Sequence, residues 1–375
     1  MDSIFWQLPG PAAFLGRLQT DLREGCNVVL LLPKSVPFGI RRALASFVRE
    51  TDVWRWRTID LTELCVVSDP VELLRTFLPS DPPIYSARTL IPALAETVVW
   101  VEGMTSEYWP HWRSFLIEYA RLSRNSGWNR GVFCVAVTGE VTREAVLAEA
   151  ALVTRRWRGV VDRVDMSLFV SQLLRSKRIG PLDRRLRVGL CTEIAGTDPE
   201  LAVRLADLDL AALLEPHNLL RSVGLERGWM DAKEPTWEIG ALDELESELV
   251  PHSAFLALHN ERSEILRRIW RAQVAVVFPF IEEQRTRLIP RMAPLISVPF
   301  TSRFGEVRSL YDLEVSHLHH FARRFKMDND TLRLLEILKR MRDRLAHLQP
   351  VAVSDLLEVQ GILEEGRERL VFSAN

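Results

Sequence analysis

Two stretches of the chain and one pair of histidines carry residue types at spacings that could do chemistry. The first stretch, Asn27 to Val48, reads NVVLLLPKSVPFGIRRALASFV: an apolar run, a turn, then a helix-forming segment. A turn that cradles phosphate needs glycines for close backbone approach, a lysine for the terminal phosphates and a Ser or Thr for Mg²⁺, ordered G-x-x-x-x-G-K-[ST]. Here Pro33 stands at the first glycine, and Gly39 is followed by Ile40 and Arg41. What remains for an anion is Lys34, Ser35, Gly39 and Arg41, a set suited to holding a nucleotide without turning it over. The second stretch is Arg342-Asp343-Arg344-Leu345-Ala346-His347, closing the helical run TLRLLEILKRM. Histidine shuttles a proton near neutral pH and arginine stabilises a developing phosphorane charge; equally, His347 and Arg344 suit the dipole at a helix C-terminus. His317 and His320 share a helix face, but no acidic or Cys partner lies at a spacing that would complete three or four metal ligands, so no metal is expected.

These residues need elements to place them. Fully apolar runs such as VVLLL and VFCVAV are what a parallel sheet covered on both faces requires. Strands are predicted at Val28–Leu32, Trp54–Ile59, Thr97–Val101, Gly131–Val137 and Val160–Val164, with helices at Ile40–Glu50, Val71–Leu78, Tyr108–Ser123 and Arg143–Thr154. Five strands with crossover helices give a doubly wound α/β domain over residues 1–169. Residues 170–250 read as a helical lid or linker. Thr197 or Asp198 caps a helix that begins at Pro199, and the acidic run Asp243–Glu248 is a solvated helix face. Residues 251–375 read as a helical bundle, in which Pro279 bends or breaks a long helix, LIPRMAPLISVPF forms a loop, and Leu310–Phe325, Thr331–Leu345 and Asp355–Leu370 are helices.

Composition narrows the function classes. With 375 residues, 47% hydrophobic and 26% charged, the chain has material for two or three soluble domains. A net charge of −2 gives no global pull towards nucleic acid or acidic membranes. The basic cluster Arg175, Lys177, Arg178, Arg184, Arg185 and Arg187 is the one local surface that could meet RNA or DNA, or else a solvated helix face. Cys26, Cys65, Cys134 and Cys191 lack metal or disulfide spacing and read as buried thiols. No apolar run spans a bilayer and the N-terminus has no signal-peptide pattern, so a cytoplasmic protein is expected.

The strand–turn–helix at Asn27–Val48 and the acidic end of TVVWVEGM resemble a P-loop NTPase of the STAND or AAA-like kind, similar to the inactive STAND modules of bacterial conflict and anti-phage systems. The resemblance covers roughly residues 1–170. It implies that Glu102 stands where such proteins hold Mg²⁺, and Thr138 and Glu140 where they read the γ-phosphate. The Arg342–His347 motif with its following Leu348-Gln349-Pro350 resembles the HEPN superfamily of small helical bundles. That likeness nominates Arg342 and His347, paired across a homodimer of the bundle, for metal-independent RNA cleavage, with Asp343 as the positioning polar residue. The resulting expectation is a non-hydrolysing regulatory or scaffold subunit of a defence assembly, docking other protein subunits, with ATP or ADP as its only candidate cofactor. The alternatives are a HEPN-type ribonuclease and a slow ATPase in which Lys34 or Arg41 replaces the missing lysine.

Overall fold

The computed structural model describes residues 2–35, 37, 39–50, 54–63, 69–77, 85–126, 130–145, 152–302 and 305–372; Cys65 lies outside them. The chain divides into two compact units: residues 1–169, 196–200 and 223–255 form the first, and residues 170–195, 201–222 and 256–375 the second.

The first unit opens with α1 (Asp2–Phe5) and α2 (Pro9–Arg23), then β1 (Asn27–Leu32), α3 (Ile40–Glu50), β2 (Arg55–Asp60), α4 (Pro70–Phe77), α5 (Ala87–Ala93), β3 (Thr97–Met104), α6 (Trp109–Ser123), β4 (Val132–Thr138) and β5 (Leu152–Arg156). The five strands form one sheet in the order β2-β3-β4-β1-β5, and every pairing in it is parallel. β1 is buried along its whole length, as its uniformly apolar sequence requires. Its register is fixed from both sides, with Val29 opposite Val135 of β4 and Thr154 of β5. Buried Asn27 adds a tie to this pairing, its Oδ1 accepting the Phe133 amide at 2.9 Å. One core gathers Trp112, Phe115 and Tyr119 of α6 on Phe133, with ring centroids 5.0–6.3 Å apart. A second aromatic group joins Phe5, Phe14, Trp157 and Phe169.

The fifth strand lies earlier than the pattern suggested. Leu152–Arg156 takes the place beside β1 that Val160–Val164 was expected to fill, while Arg163 starts α7 (Arg163–Leu173). The helix expected over Arg143–Thr154 is replaced by a 3₁₀ turn (Gly139–Arg143) and the start of β5, with residues 146–151 outside the description. The run LVTRR hides its strand character behind two arginines. One of them, Arg155, holds the buried Asp21 of α2 through two hydrogen bonds of 2.7 Å.

Beyond α7 come α8 (Pro181–Ala195), α9 (Pro199–Ala206), α10 (Leu210–Leu214) and α11 (His217–Glu226), then an antiparallel hairpin of β6 (Leu242–Leu245) and β7 (Glu248–Pro251). This hairpin corrects the helix face expected at Asp243–Glu248. Glu246 and Ser247 turn the chain at φ of 54° and 69°, the doubly positive geometry of a tight hairpin turn. α12 (Ser253–Leu258) follows, then α13 (Arg262–Met292), a helix of 31 residues that runs through both Pro279 and Pro290. Neither the break at Pro279 nor the whole of the LIPRMAPLISVPF loop is therefore observed; the buried face of Ile265, Ile269, Ala272, Val277, Phe280 and Ile281 carries the helix past the missing N–H. A short hairpin, β8 (Phe300–Ser302) with β9 (Gly305–Val307), precedes α14 (Val315–Arg324), α15 (Asn329–Ala346) and α16 (Val353–Phe372). The helix expected from Leu310 is shortened to α14, because Ser309 caps a separate 3₁₀ turn at Leu310–Asp312. The second unit is thus a helical assembly around α8, α13, α14, α15 and α16. No helix among the described residues is long and apolar enough to cross a membrane.

Candidate functional sites

The turn after β1 sits at the carboxyl edge of the parallel sheet, where open α/β sheets place their ligands. Gly39 adopts φ 71°, a left-handed conformation that suits glycine and lets the chain swing into α3. The chain itself closes over the start of this turn. The Lys34 amide donates to the Glu238 carbonyl at 2.7 Å, and Gly240 lies so close that a Cβ there would stand 3.1 Å from Ser35 Cβ. The covering segment is pinned from two sides. Trp237 donates its indole N–H to the Trp157 carbonyl at 2.9 Å, and the Arg143 guanidinium lies 3.3 Å from Glu238 Oε1. Burial works against ionisation of Glu238, but hydrogen bonds from its own backbone and from Arg143 outweigh it and hold the carboxyl below the ordinary range.

Two of the three charges of the predicted set neutralise one another, Arg41 of α3 forming an ion pair with Glu102 of β3, while Lys34 is exposed. Glu102 also accepts the Trp100 indole N–H at 2.8 Å, so both its oxygens are engaged. The β3 bulge at Val101–Met104 aims this carboxylate. Within it Gly103 turns at φ 78°, with the Thr62 backbone 2.8 Å from where a Cβ would stand. Thr138 ends β4 without a capping bond, and Glu140 pairs with Arg143 at 2.7 Å. Thus Arg41 and Glu102 meet each other, while Lys34 and Ser35 meet the Glu238–Gly240 segment.

In the helical unit Arg342 and His347 are not brought together. Arg342 pairs with Glu314 at 2.9 Å. His347, the exposed C-cap of α15, opens instead into a cleft of about 460 Å³. The groups that face it there are His319 of α14, Glu336, Lys339, Arg340, Asp343 and Arg344 of α15, and Gln349. Arg340 is held by Asp355 and Arg344 by the Pro350 carbonyl, whereas burial, then Lys339 and Arg323, push the His319 imidazole below its usual pKa. A histidine kept neutral beside cations can accept a proton. Sequence reasoning weighed His317 and His320 and passed over His319, since nothing in spacing alone joins it to a residue of the next helix. His317 spends its Nδ1 on the Glu314 amide at 3.1 Å, capping α14, and no metal-binding group of three His, Cys, Asp or Glu occurs among the described residues.

Half of the basic cluster is tied into the fold, and Arg185 pairs with Glu283 at 3.6 Å. Lys177 binds the Ala206 carbonyl at 2.6 Å and Asp207 at 3.0 Å. Arg184 ties the carbonyls of Leu174 and Lys177, and Arg187 joins Asp183 at 2.7 Å and the Leu208 carbonyl at 2.6 Å. Arg175 and Arg178 are left facing solvent.

A third polar constellation joins the predicted cap Asp198 to two residues that the sequence did not connect with it. Asp198 caps α9 through the Glu200 amide at 2.9 Å, and its other oxygen meets Arg227 at 2.7 Å and His252 Nε2 at 2.9 Å. His252 Nδ1 accepts the Ala254 amide, which places the imidazole proton on Nε2, directed at Asp198. All three side chains are spent on one another and on helix ends, so the group acts as a clasp within the first unit.

Comparison with protein-family models and with curated proteins finds no match to this chain.

Proposed function

We propose that the protein is a non-hydrolysing, STAND-like regulatory or scaffold subunit of a multi-protein defence assembly, and that its α/β unit works by binding other proteins. The strand order β2-β3-β4-β1-β5, with β4 between β1 and β3, supports an AAA-like ancestry for the sheet. The observation that carries the reading is the closed turn: the Lys34 amide, a group that would point at phosphate, is bonded to the Glu238 carbonyl. Loss of the glycines and the lysine removed the phosphate cradle, and Arg41 with Glu102 became a structural ion pair. Calorimetry with ATP and Mg²⁺, with hydrolysis followed on the same sample, tests this. The expected result is no turnover, in wild type and in Glu102→Gln alike. ATP hydrolysis that Glu102→Gln or Arg41→Ala abolishes would replace this reading with that of a slow ATPase.

A second reading, a HEPN-type ribonuclease, is favoured by one feature, the convergence of His319, His347 and Lys339 on a single open cleft. RNA decay that is slowed by His347→Ala and by His319→Ala would support it. Cleavage unaffected by His347→Ala would remove it.

A further inference from the structure

In the helical unit α14 buries Val315, Leu318 and Ala322 and turns a second line of residues outward. His317, Phe321 and Phe325 follow one another at four-residue spacing, one turn apart on one side of the helix. Phe300 of β8 stands edge-on to His317, with centroids 6.2 Å apart, and edge-on to Phe321 at 5.5 Å. Phe325 stacks on Phe321 at 6.0 Å with 12° between the ring planes, and it stays 38% exposed. Phe300 and Phe321 are half-buried, so the three rings form a fixed platform with an open end.

The unpaired charge beside this platform is positive. Arg324 lies over the Phe325 ring, 5.8 Å from its centroid. Arg323, Arg324 and Lys326 are exposed and have no carboxylate partner among the described residues. Of the flanking acids, Glu306, Glu314, Asp328 and Glu336 are engaged by Arg308, Arg342, Thr331 and Arg333.

Lys326 stands where a helix end ordinarily has glycine. It takes φ 53°, and the Met327 and Lys326 amides close back on the Ala322 and Arg323 carbonyls at 3.0 and 3.3 Å, a cap whose left-handed residue is most often glycine. Glycine would relieve this backbone, so the lysine side chain is carried there at a cost to the fold. An open ring face beside unpaired cations suits a strand whose bases stack and whose phosphates each carry a negative charge. A bilayer would need apolar side chains that project, whereas here each ring is packed against the next.

We propose that this face of the helical unit binds a single-stranded nucleic acid, with a base stacked on Phe325 and the adjoining phosphates held by Arg323, Arg324 and Lys326. The surface is distinct from the Arg175–Arg187 cluster, and it requires neither a nucleotide at the turn after β1 nor cleavage of RNA.

The test is fluorescence anisotropy of the full-length protein with labelled oligo-dT and oligo-U strands of about fifteen nucleotides, over a series of salt concentrations. A DNA duplex and phosphatidylserine vesicles are measured alongside. Three phosphate contacts give a slope of log affinity against log salt of about −2 for a single strand. Phe325→Leu keeps an apolar contact on Phe321 and removes the ring; it is expected to weaken binding about fivefold or more and to leave the slope unchanged. Lys326→Gly is expected to make the slope shallower by about 0.7. It should also melt at or above the wild-type temperature, which separates lost charge from lost fold. Oligo-dT lacks the 2′-hydroxyl, so its binding is read apart from any RNA cleavage, and the tighter of the two strands identifies the ligand as DNA or RNA. The proposal is overturned if neither strand binds at about 100 μM protein in low salt, if the duplex or the vesicles bind more tightly than either strand, or if the affinity survives in Phe325→Leu. Should Phe325→Leu fail to fold, Lys326→Gly decides alone, and an unchanged salt slope overturns the proposal.

Discussion

Asp243 illustrates how a single carboxylate sets a pH dependence. It accepts the amides of Glu244 at 2.8 Å and Gly159 at 3.2 Å, fixing the start of the β6–β7 hairpin. Burial raises its pKa above the ordinary 3.8, and the hydrogen bonds and the nearby Arg158 recover only part of that. In the unfolded chain the group ionises first as pH rises past about 3.8, so stability falls from there until the folded carboxyl ionises too, and is level above. Asn accepts the same two amides and carries no charge. Asp243→Asn should therefore gain in melting temperature over wild type as pH rises from 4 to 8; an offset that does not change with pH would sink the assignment. Little at this scale was legible in the sequence. Asp198 could be read as a cap because Pro199 follows it, but its bonds to Arg227 and His252 join residues 29 and 54 positions away.

Elements were legible where pattern and burial agree. β1 and β4 are apolar because both faces are covered, and α3 starts and ends where its amphipathic pattern does. Sequence reading failed where one residue type carried the inference. Two arginines masked β5, a block of acids masked the β6–β7 hairpin, and Pro279 was given more power than its surroundings allow. Pro279 is exposed within α13, where it removes one backbone hydrogen bond and crowds the preceding turn. Replacing it with Ala restores the N–H and removes no buried contact. Pro279→Ala should thus stabilise the protein by about 1–3 kcal/mol, below the full helix-interior penalty because the helix has already adapted to the proline. Denaturant unfolding would show this as a higher midpoint with an unchanged slope; a lower midpoint would mean that the proline is needed for the path of α13.

At the scale of the molecule the two units are interleaved along the chain, and this limits how the protein can be divided. The α/β unit takes residues 196–200 and 223–255 in addition to 1–169. Those late residues supply Trp237, which is 5% exposed in the main core and bonded to the Trp157 carbonyl, and Glu238, which closes the turn after β1. A fragment ending at residue 169 keeps all five strands but loses that tryptophan, the α9 clasp of Asp198 with Arg227 and His252, and the β6–β7 hairpin. Removing a buried aromatic alone costs about 3–5 kcal/mol, comparable to the total stability of many domains of this size. The fragment 1–169 is therefore expected to lack a cooperative thermal transition and to bind a hydrophobic dye, while the full chain unfolds cooperatively. Trp237→Ala in the full chain should shift unfolding in the same direction by about 3–5 kcal/mol. A fragment that melts cooperatively near the full-length temperature would show that the late residues only decorate the sheet.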